Sequence, residues 1–195
     1  AGQDNMTKEG NISLKRCALF FEEISMKDVP LVGGKNASLG EMYQQLRKIG
    51  VRIPNGFAVS ISAYRASLHK DDIAALHGAL DPLDKSSPDF VTKLARAGHI
   101  CRAIVYRAKL TSEHVDDILQ AYRELNRQYG DDGIGISVAV RSSATAEDLP
   151  TASFAGQHDT YLNIRGETQL IDAIKRCNAS LFTDRAISYR IDQKF

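Results

Sequence analysis

The chain has 195 residues, 43% hydrophobic and 25% charged, with 25 Lys+Arg against 24 Asp+Glu and a formal net charge of +1. This is ordinary globular usage, which argues against wholesale disorder or a fibrous chain, and the charge balance gives no global reason to expect nucleic acid or an anionic membrane as partner. No apolar run approaches the roughly 20 residues that span a bilayer, and the polar stretch from Ala1 to Asn11 lacks the apolar core of a secretory signal.

Residues 1–18 read as a flexible N-terminus, or ahead of Met6 as a non-native remnant, and 19–195 as one structural unit. Leu19-Phe20-Phe21 is a short apolar strand, and Ser25 to Pro30 a connection. From Asn36 the pattern turns helical, with Leu39, Met42, Tyr43, Leu46 and Ile49 in one stripe and Gly50 as its stop. Pro54-Asn55-Gly56 is a turn into a strand at Phe57-Ala58-Val59, after which Ser60 or Ser62 can cap a short helix. Helical fragments follow between His69 and Ser87. Phe90 to Lys109 reads as a helix with Leu94, Ile100, Cys101, Ile104 and Val105 inward. A stronger one runs from Ser112 to Tyr129, striped by Val115, Ile118, Leu119, Tyr122, Leu125 and Tyr129.

After Gly130-Asp131-Asp132-Gly133 the period changes to two. Ile136, Val138 and Val140 alternate with Ser137, Ala139 and Arg141, which marks a strand. A small, polar loop from Ser142 to Gly156 leads to a second strand, Asp159 to Ile164, and then to helices from about Glu167 to Leu181 and from Asp184 onward. Few strands and many helices without βαβ alternation make the class α+β. Cys17, Cys101 and Cys177 form no CxxC pair, so three free thiols in a reducing cytoplasm are expected.

Three segments look unlike packing. Gly33-Gly34-Lys35 precedes a helix, and free amides at a helix start attract phosphate; the P-loop pattern is not matched, and a glycine turn with a solvated lysine is the plainer reading. Arg141, at a strand end beside Ser142, Ser143 and Thr145, suits bidentate contact to phosphate or an ordinary salt bridge. Ala152 to Thr160 can fold over a polyphosphate, or be a hairpin connection with Phe154 in the core. The five histidines form no HExxH pattern and no metal spacing, so no metal ligand is expected within the chain.

Taken together, Val32 to Met42, Ile53 to Ala58, Val140 to Asp148, Ala152 to Gln157 and the closing Ser180 to Arg190 resemble the N-terminal nucleotide-binding domain of the phosphoenolpyruvate synthase (pyruvate, water dikinase) family. Pyruvate phosphate dikinase and rifampin phosphotransferase are related to it. The resemblance runs from about Phe20 to the end. It implies the first part of an ATP-grasp domain, with helices packed on a small mixed or antiparallel sheet.

It also implies site residues. Lys35 and Arg141 match the family residues that contact ATP phosphates and are the catalytic candidates; Gly33, Gly34, Ser142 and Ser143 share their motifs; Gly156 and Thr160 match nucleotide contacts of the glycine-containing loop. The implied reaction turns ATP, pyruvate and water into AMP, phosphoenolpyruvate and phosphate. It passes through a phosphohistidine on a separate swivelling domain and uses a barrel domain that phosphorylates pyruvate with Mg²⁺. The acidic metal ligands, a Thr-Cys-His-type motif and the barrel have no counterpart in these residues. The chain therefore reads as an N-terminal fragment, inactive alone, with the Mg²⁺ ligands expected elsewhere in the enzyme. The alternatives are the ATP-binding domain of a rifampin-type phosphotransferase and a non-catalytic nucleotide-binding module.

Overall fold

The computed structural model describes residues 16–130, 132–143 and 160–193. The first strand, β1 (Ala18–Phe20), pairs antiparallel with β2 (Phe57–Val59) in the register Ala18↔Val59, Leu19↔Ala58, Phe20↔Phe57. Residues 25–30 are not a plain connection. Ser25 opens a 3₁₀ turn, Met26–Asp28, by accepting from the Lys27 N–H (3.3 Å) while Asp28 accepts from the Ser25 N–H (2.8 Å). The short helix α1 (Val29–Val32) follows, with Pro30 in its first turn, where no partner for a proline N–H is needed.

Helix α2 (Gly34–Lys48) starts two residues before the sequence reading, and it buries a different face. Gly34, Ala37, Gly40 and Tyr43 are inside, whereas Met42 is 44% and Ile49 73% exposed. The reason is a close backbone approach. A Cβ at Gly40 would lie 2.5 Å from the Ile24 carbonyl oxygen, so only a small residue allows the contact. The Gln44 side-chain amide then donates to the Phe21 and Ile24 carbonyls (3.2 and 2.7 Å).

Helices α3 (Ile61–Ser67), α4 (Lys70–Leu80), α5 (Phe90–Arg107) and α6 (Ser112–Tyr129) follow. Ser60 occupies the N-cap of α3, but its hydroxyl pairs with the Ser62 hydroxyl rather than capping a backbone N–H of that helix. Leu94, Cys101 and Val105 are buried on α5 as expected, but Ile100 is exposed. On α6 the stripe holds at Ile118, Tyr122 and Leu125, while Tyr129 is exposed and its hydroxyl accepts from the Asn55 N–H (2.6 Å). The Asp117 carboxylate on α6 accepts from the Cys17 and Ala18 N–H groups (2.6 and 2.9 Å), tying β1 to this helix.

Strand β3 (Val138–Arg141) pairs antiparallel with β4 (Thr160–Ile164), and α7 (Glu167–Ser180) and α8 (Asp184–Gln193) complete the chain. The ladder begins later than the alternation suggested because Ile136 is committed elsewhere. Its N–H donates to Asn126 Oδ1 (2.9 Å) and its carbonyl accepts from the Tyr122 hydroxyl (2.7 Å). Asp159 lies outside the described residues. Among the described residues the strands form two separate two-stranded antiparallel sheets rather than one, within a largely helical α+β fold.

The core has three parts. Cys17, Ile118, Tyr122, Leu170 and Ile174 pack beneath both sheets, with Val138, Val140 and Ile164 against them. Leu76, Leu94, Cys101, Val105, Phe182 and Ile187 join α4, α5 and the C-terminal helices. Ile24, Val32, Ala37 and Ala58 seat the start of α2 on the first sheet. Among the described residues no helix is long and apolar enough to cross a membrane.

Candidate functional site

The start of α2 is set by Gly33. Its backbone (φ 81°, ψ 157°) turns the chain sharply between α1 and α2, in a region open essentially to glycine alone. Its N–H closes α1 on the Val29 carbonyl (2.9 Å) and its carbonyl accepts from the Ala37 N–H (3.0 Å), the first bond of α2. The first turn contains no acidic residue, so no neighbouring carboxylate in that turn offsets the positive end of the helix dipole. Lys35, exposed in this turn, adds a full positive charge.

Strand β3 delivers the second segment to the same place. Val138 and Val140 face the core, so alternation turns Arg141 outward, where it is exposed. Two residues on, Ser143 meets α2: the Asn36 N–H donates to Ser143 Oγ at 3.4 Å, across 107 positions of sequence. The approach is tight, since a Cβ on Gly33 would lie 2.4 Å from the Ser143 carbonyl oxygen and 2.5 Å from its Oγ. Ser142, between them, is buried.

Strand β4 brings the third. Thr160 is the register partner of Arg141, and direct partners project from the same face of a ladder. This pairing depends on an irregularity. Val138 faces Ile164 and Val140 faces Tyr161, so two steps on β3 match three on β4, and Asn163 takes φ 57° there. Without that extra residue Tyr161 would stand opposite Arg141; the bulge puts Thr160 there instead.

Gly33, Gly34, Lys35, Arg141, Ser142, Ser143 and Thr160 are thus gathered from three distant segments around one end of the β3–β4 ladder. Gly156 lies outside the described residues, as do Phe154, Glu147 and Asp148. The assembled side chains are cations and hydroxyls beside a helix start, a set suited to phosphate oxygens. Among the described residues no group of three or more His, Cys, Asp or Glu is arranged for a metal ion. A cysteine nucleophile is equally unsupported: burial, reinforced by Asp117, pushes the Cys17 thiol up to about 12. An open cleft of about 320 Å³ elsewhere, between α5, α7 and Tyr161, offers arginines that are already engaged: Arg102 by Asp184 and Arg176 by Asp172.

Sequence reasoning missed the supports of the site. Tyr122 reads as a stripe residue, yet its hydroxyl donates to the Ile136 carbonyl and accepts from the Gly166 N–H (2.9 Å), bracing both strands of the ladder. The available signal was a tyrosine set among Ile118, Leu119 and Leu125 at the centre of the stripe, because a fully buried hydroxyl needs partners.

The pyruvate phosphate dikinase AMP/ATP-binding domain family matches residues 29–195. The chain belongs to this family. Its relatives include the phosphoenolpyruvate synthase of Helicobacter pylori, 48% identical over 176 residues (90% of this chain, 21% of that protein). That of Escherichia coli is 45% identical over 177 residues (91% and 22%). A probable phosphoenolpyruvate synthase of Staphylothermus marinus is 43% identical over 183 residues (92% and 21%). The chain spans about a fifth of the length of these relatives. The family match includes all three converging segments, so the cluster at the α2 start lies within the matched domain.

Proposed function

We propose that this chain is the ATP-binding part of a phosphoenolpyruvate synthase, an ATP-grasp unit that contributes to conversion of ATP, pyruvate and water into AMP, phosphoenolpyruvate and phosphate. One observation carries the reading: Arg141, Thr160, Ser143 and the Gly33–Lys35 helix start converge in a chain of an AMP/ATP-binding family. In this reading Lys35 and Arg141 bind the phosphates. The backbone around Gly33 and Gly34, with Thr160 and the Gly156 loop, orders the polyphosphate, and Ser142 and Ser143 form the floor of the site.

The physics of phosphoryl transfer suits such a site, because catalysis there is mainly positioning and charge stabilisation. A unit charge pair at about 4 Å is worth on the order of 4 kcal/mol at an effective dielectric near 20, before desolvation. The phosphoryl group would pass to a histidine of another domain and from there to pyruvate. Mg²⁺ prefers carboxylate and phosphate oxygens. None of Gly33, Gly34, Lys35, Arg141, Ser142, Ser143 and Thr160 is a carboxylate, so these residues do not fit the ion, and we assign its protein ligands to the rest of the enzyme. We place the protein in the cytoplasm, a setting that its three buried cysteine thiols support.

Titration of the full-length protein with a non-hydrolysable ATP analogue tests the reading. Lys35→Ala and Arg141→Ala should each weaken binding roughly tenfold or more, the loss expected for a charge-assisted hydrogen bond. Unchanged affinity and turnover in both variants would sink it. Assays with pyruvate and with rifampin as acceptor distinguish the synthase from the drug phosphotransferase.

A further inference from the structure

Helix α2 has no N-cap side chain of its own, because its N-cap residue is Gly33. Capping side chains normally accept from the N–H of the second or third helical residue. The third helical residue here is Asn36, and its N–H donates to Ser143 Oγ. That oxygen lies 2.5 Å from the point where a Cβ on Gly33 would stand. Ser143 therefore fills the space, and makes the bond, of the cap that residue 33 lacks. A second helix in the molecule shows that the arrangement is particular to α2. Gly166 begins α7 in nearly the same backbone conformation (φ 83°, ψ 159°), but a Cβ there meets only the Ile134 carbonyl oxygen at 3.5 Å, and Glu167 stands in that first turn.

We propose that Ser143 is a positioning residue for the nucleotide: it caps α2 from the end of β3 and so locks the helix start that carries Lys35 to the strand that carries Arg141. The inference rests on the ATP-site reading above and deepens it. A neutral oxygen does this without the charge that an Asp or Glu cap would set against an incoming phosphate. Capping from a distance also makes one hydroxyl serve both elements, so that loosening it separates the two cations as well as fraying the helix. The apparent affinity of a ligand falls with the fraction of protein in which its site is assembled.

The test uses the full-length protein, with a non-hydrolysable ATP analogue as probe and hydrogen-exchange mass spectrometry without nucleotide. Ser143→Ala should weaken analogue binding about fivefold, the ratio that loss of a typical N-cap gives. It should also speed exchange in the peptide containing Asn36, while peptides of β1 and β2 keep the exchange of the parent. Ser143→Thr, which retains the hydroxyl, should restore binding to within about twofold of the parent. If the parent binds the analogue but Ser143→Ala changes neither its affinity nor Asn36 exchange, the positioning role is refuted and the functional reading stands. Equal loss in Ser143→Thr and Ser143→Ala, with the β1 and β2 peptides unchanged, also refutes it, since the hydroxyl would then not be the operative group. A parent that does not bind the analogue refutes the functional reading and the positioning role with it.

Discussion

Replacing Gly33 by alanine should damage this domain in two separable ways, and Gly166 provides the control. Both glycines start a helix with φ near 80° and ψ near 160°. An L-residue in that region costs about 1–3 kcal/mol, so Gly166→Ala should lose that amount and little more, its new Cβ meeting ordinary contact at 3.5 Å. Gly33→Ala carries the same backbone penalty and adds a collision at 2.4 Å with the Ser143 carbonyl oxygen. A carbonyl oxygen of the main chain cannot rotate away as a side-chain tip can. The end of β3 must shift, at the roughly 1–3 kcal/mol typical of overpacking. For a chain of this length each kcal/mol moves the melting temperature by about 2–4 °C. Thermal denaturation followed by circular dichroism should therefore show Gly33→Ala melting on the order of 2–12 °C below Gly166→Ala. Equal melting temperatures would refute the claim that the α2 start and the end of β3 are in enforced contact.

Other perturbations probe the supports. Tyr122→Phe should destabilise by about 1–3 kcal/mol in urea unfolding, because it strands the Ile136 carbonyl and the Gly166 N–H. Asn163→Val places a β-branched residue at φ 57°, so it should cost about 1–3 kcal/mol in the same measurement. It should also weaken ATP-analogue binding by shifting Thr160 from its place opposite Arg141. Cys17 resists ionisation in the folded chain, up to about pH 12, against about 8.5 in an unfolded one. Above the lower value the unfolded chain releases this proton and the folded chain keeps it, so stability falls as pH rises through that window. Cys17→Ala should make the alkaline decline shallower in pH-dependent melting, and an unchanged slope would remove Cys17 from the account.

Periodicity revealed the elements whose burial depends on large apolar side chains. Helix α6 matches its sequence limits, Ser112–Tyr129, and β2 its three residues, because Ile118, Tyr122, Leu125 and Ala58 follow the patterns that those structures impose. The buried face of α2 was hidden because contact there is made by Ala37 and Gly40, through the absence of side-chain bulk, which an apolar stripe does not report. The 3₁₀ turn at Met26–Asp28 was hidden because Ser25 and Asp28 hold it with side-chain bonds. At the site, the residue types at Gly33–Lys35 and Arg141 already suggested phosphate, but not that they meet. The bulge that aligns Thr160 with Arg141 leaves no trace in a period-two pattern. The bond from Asn36 to Ser143 spans 107 positions and belongs to tertiary packing alone.

That span also bears on the order of folding. The small core of Ile24, Val32, Ala37 and Ala58, and the pairing of β1 with β2, join residues within about forty positions, so their loop-closure cost is modest. The contact between Ser143 and the start of α2 closes a far longer loop, and contacts of that kind slow folding. The junction of the α2 start with the end of β3 is therefore among the last parts to be completed as the chain leaves the ribosome. Its glycine-led helix can form early, but the arginine strand arrives about a hundred residues later, so early intermediates present only half of the proposed site.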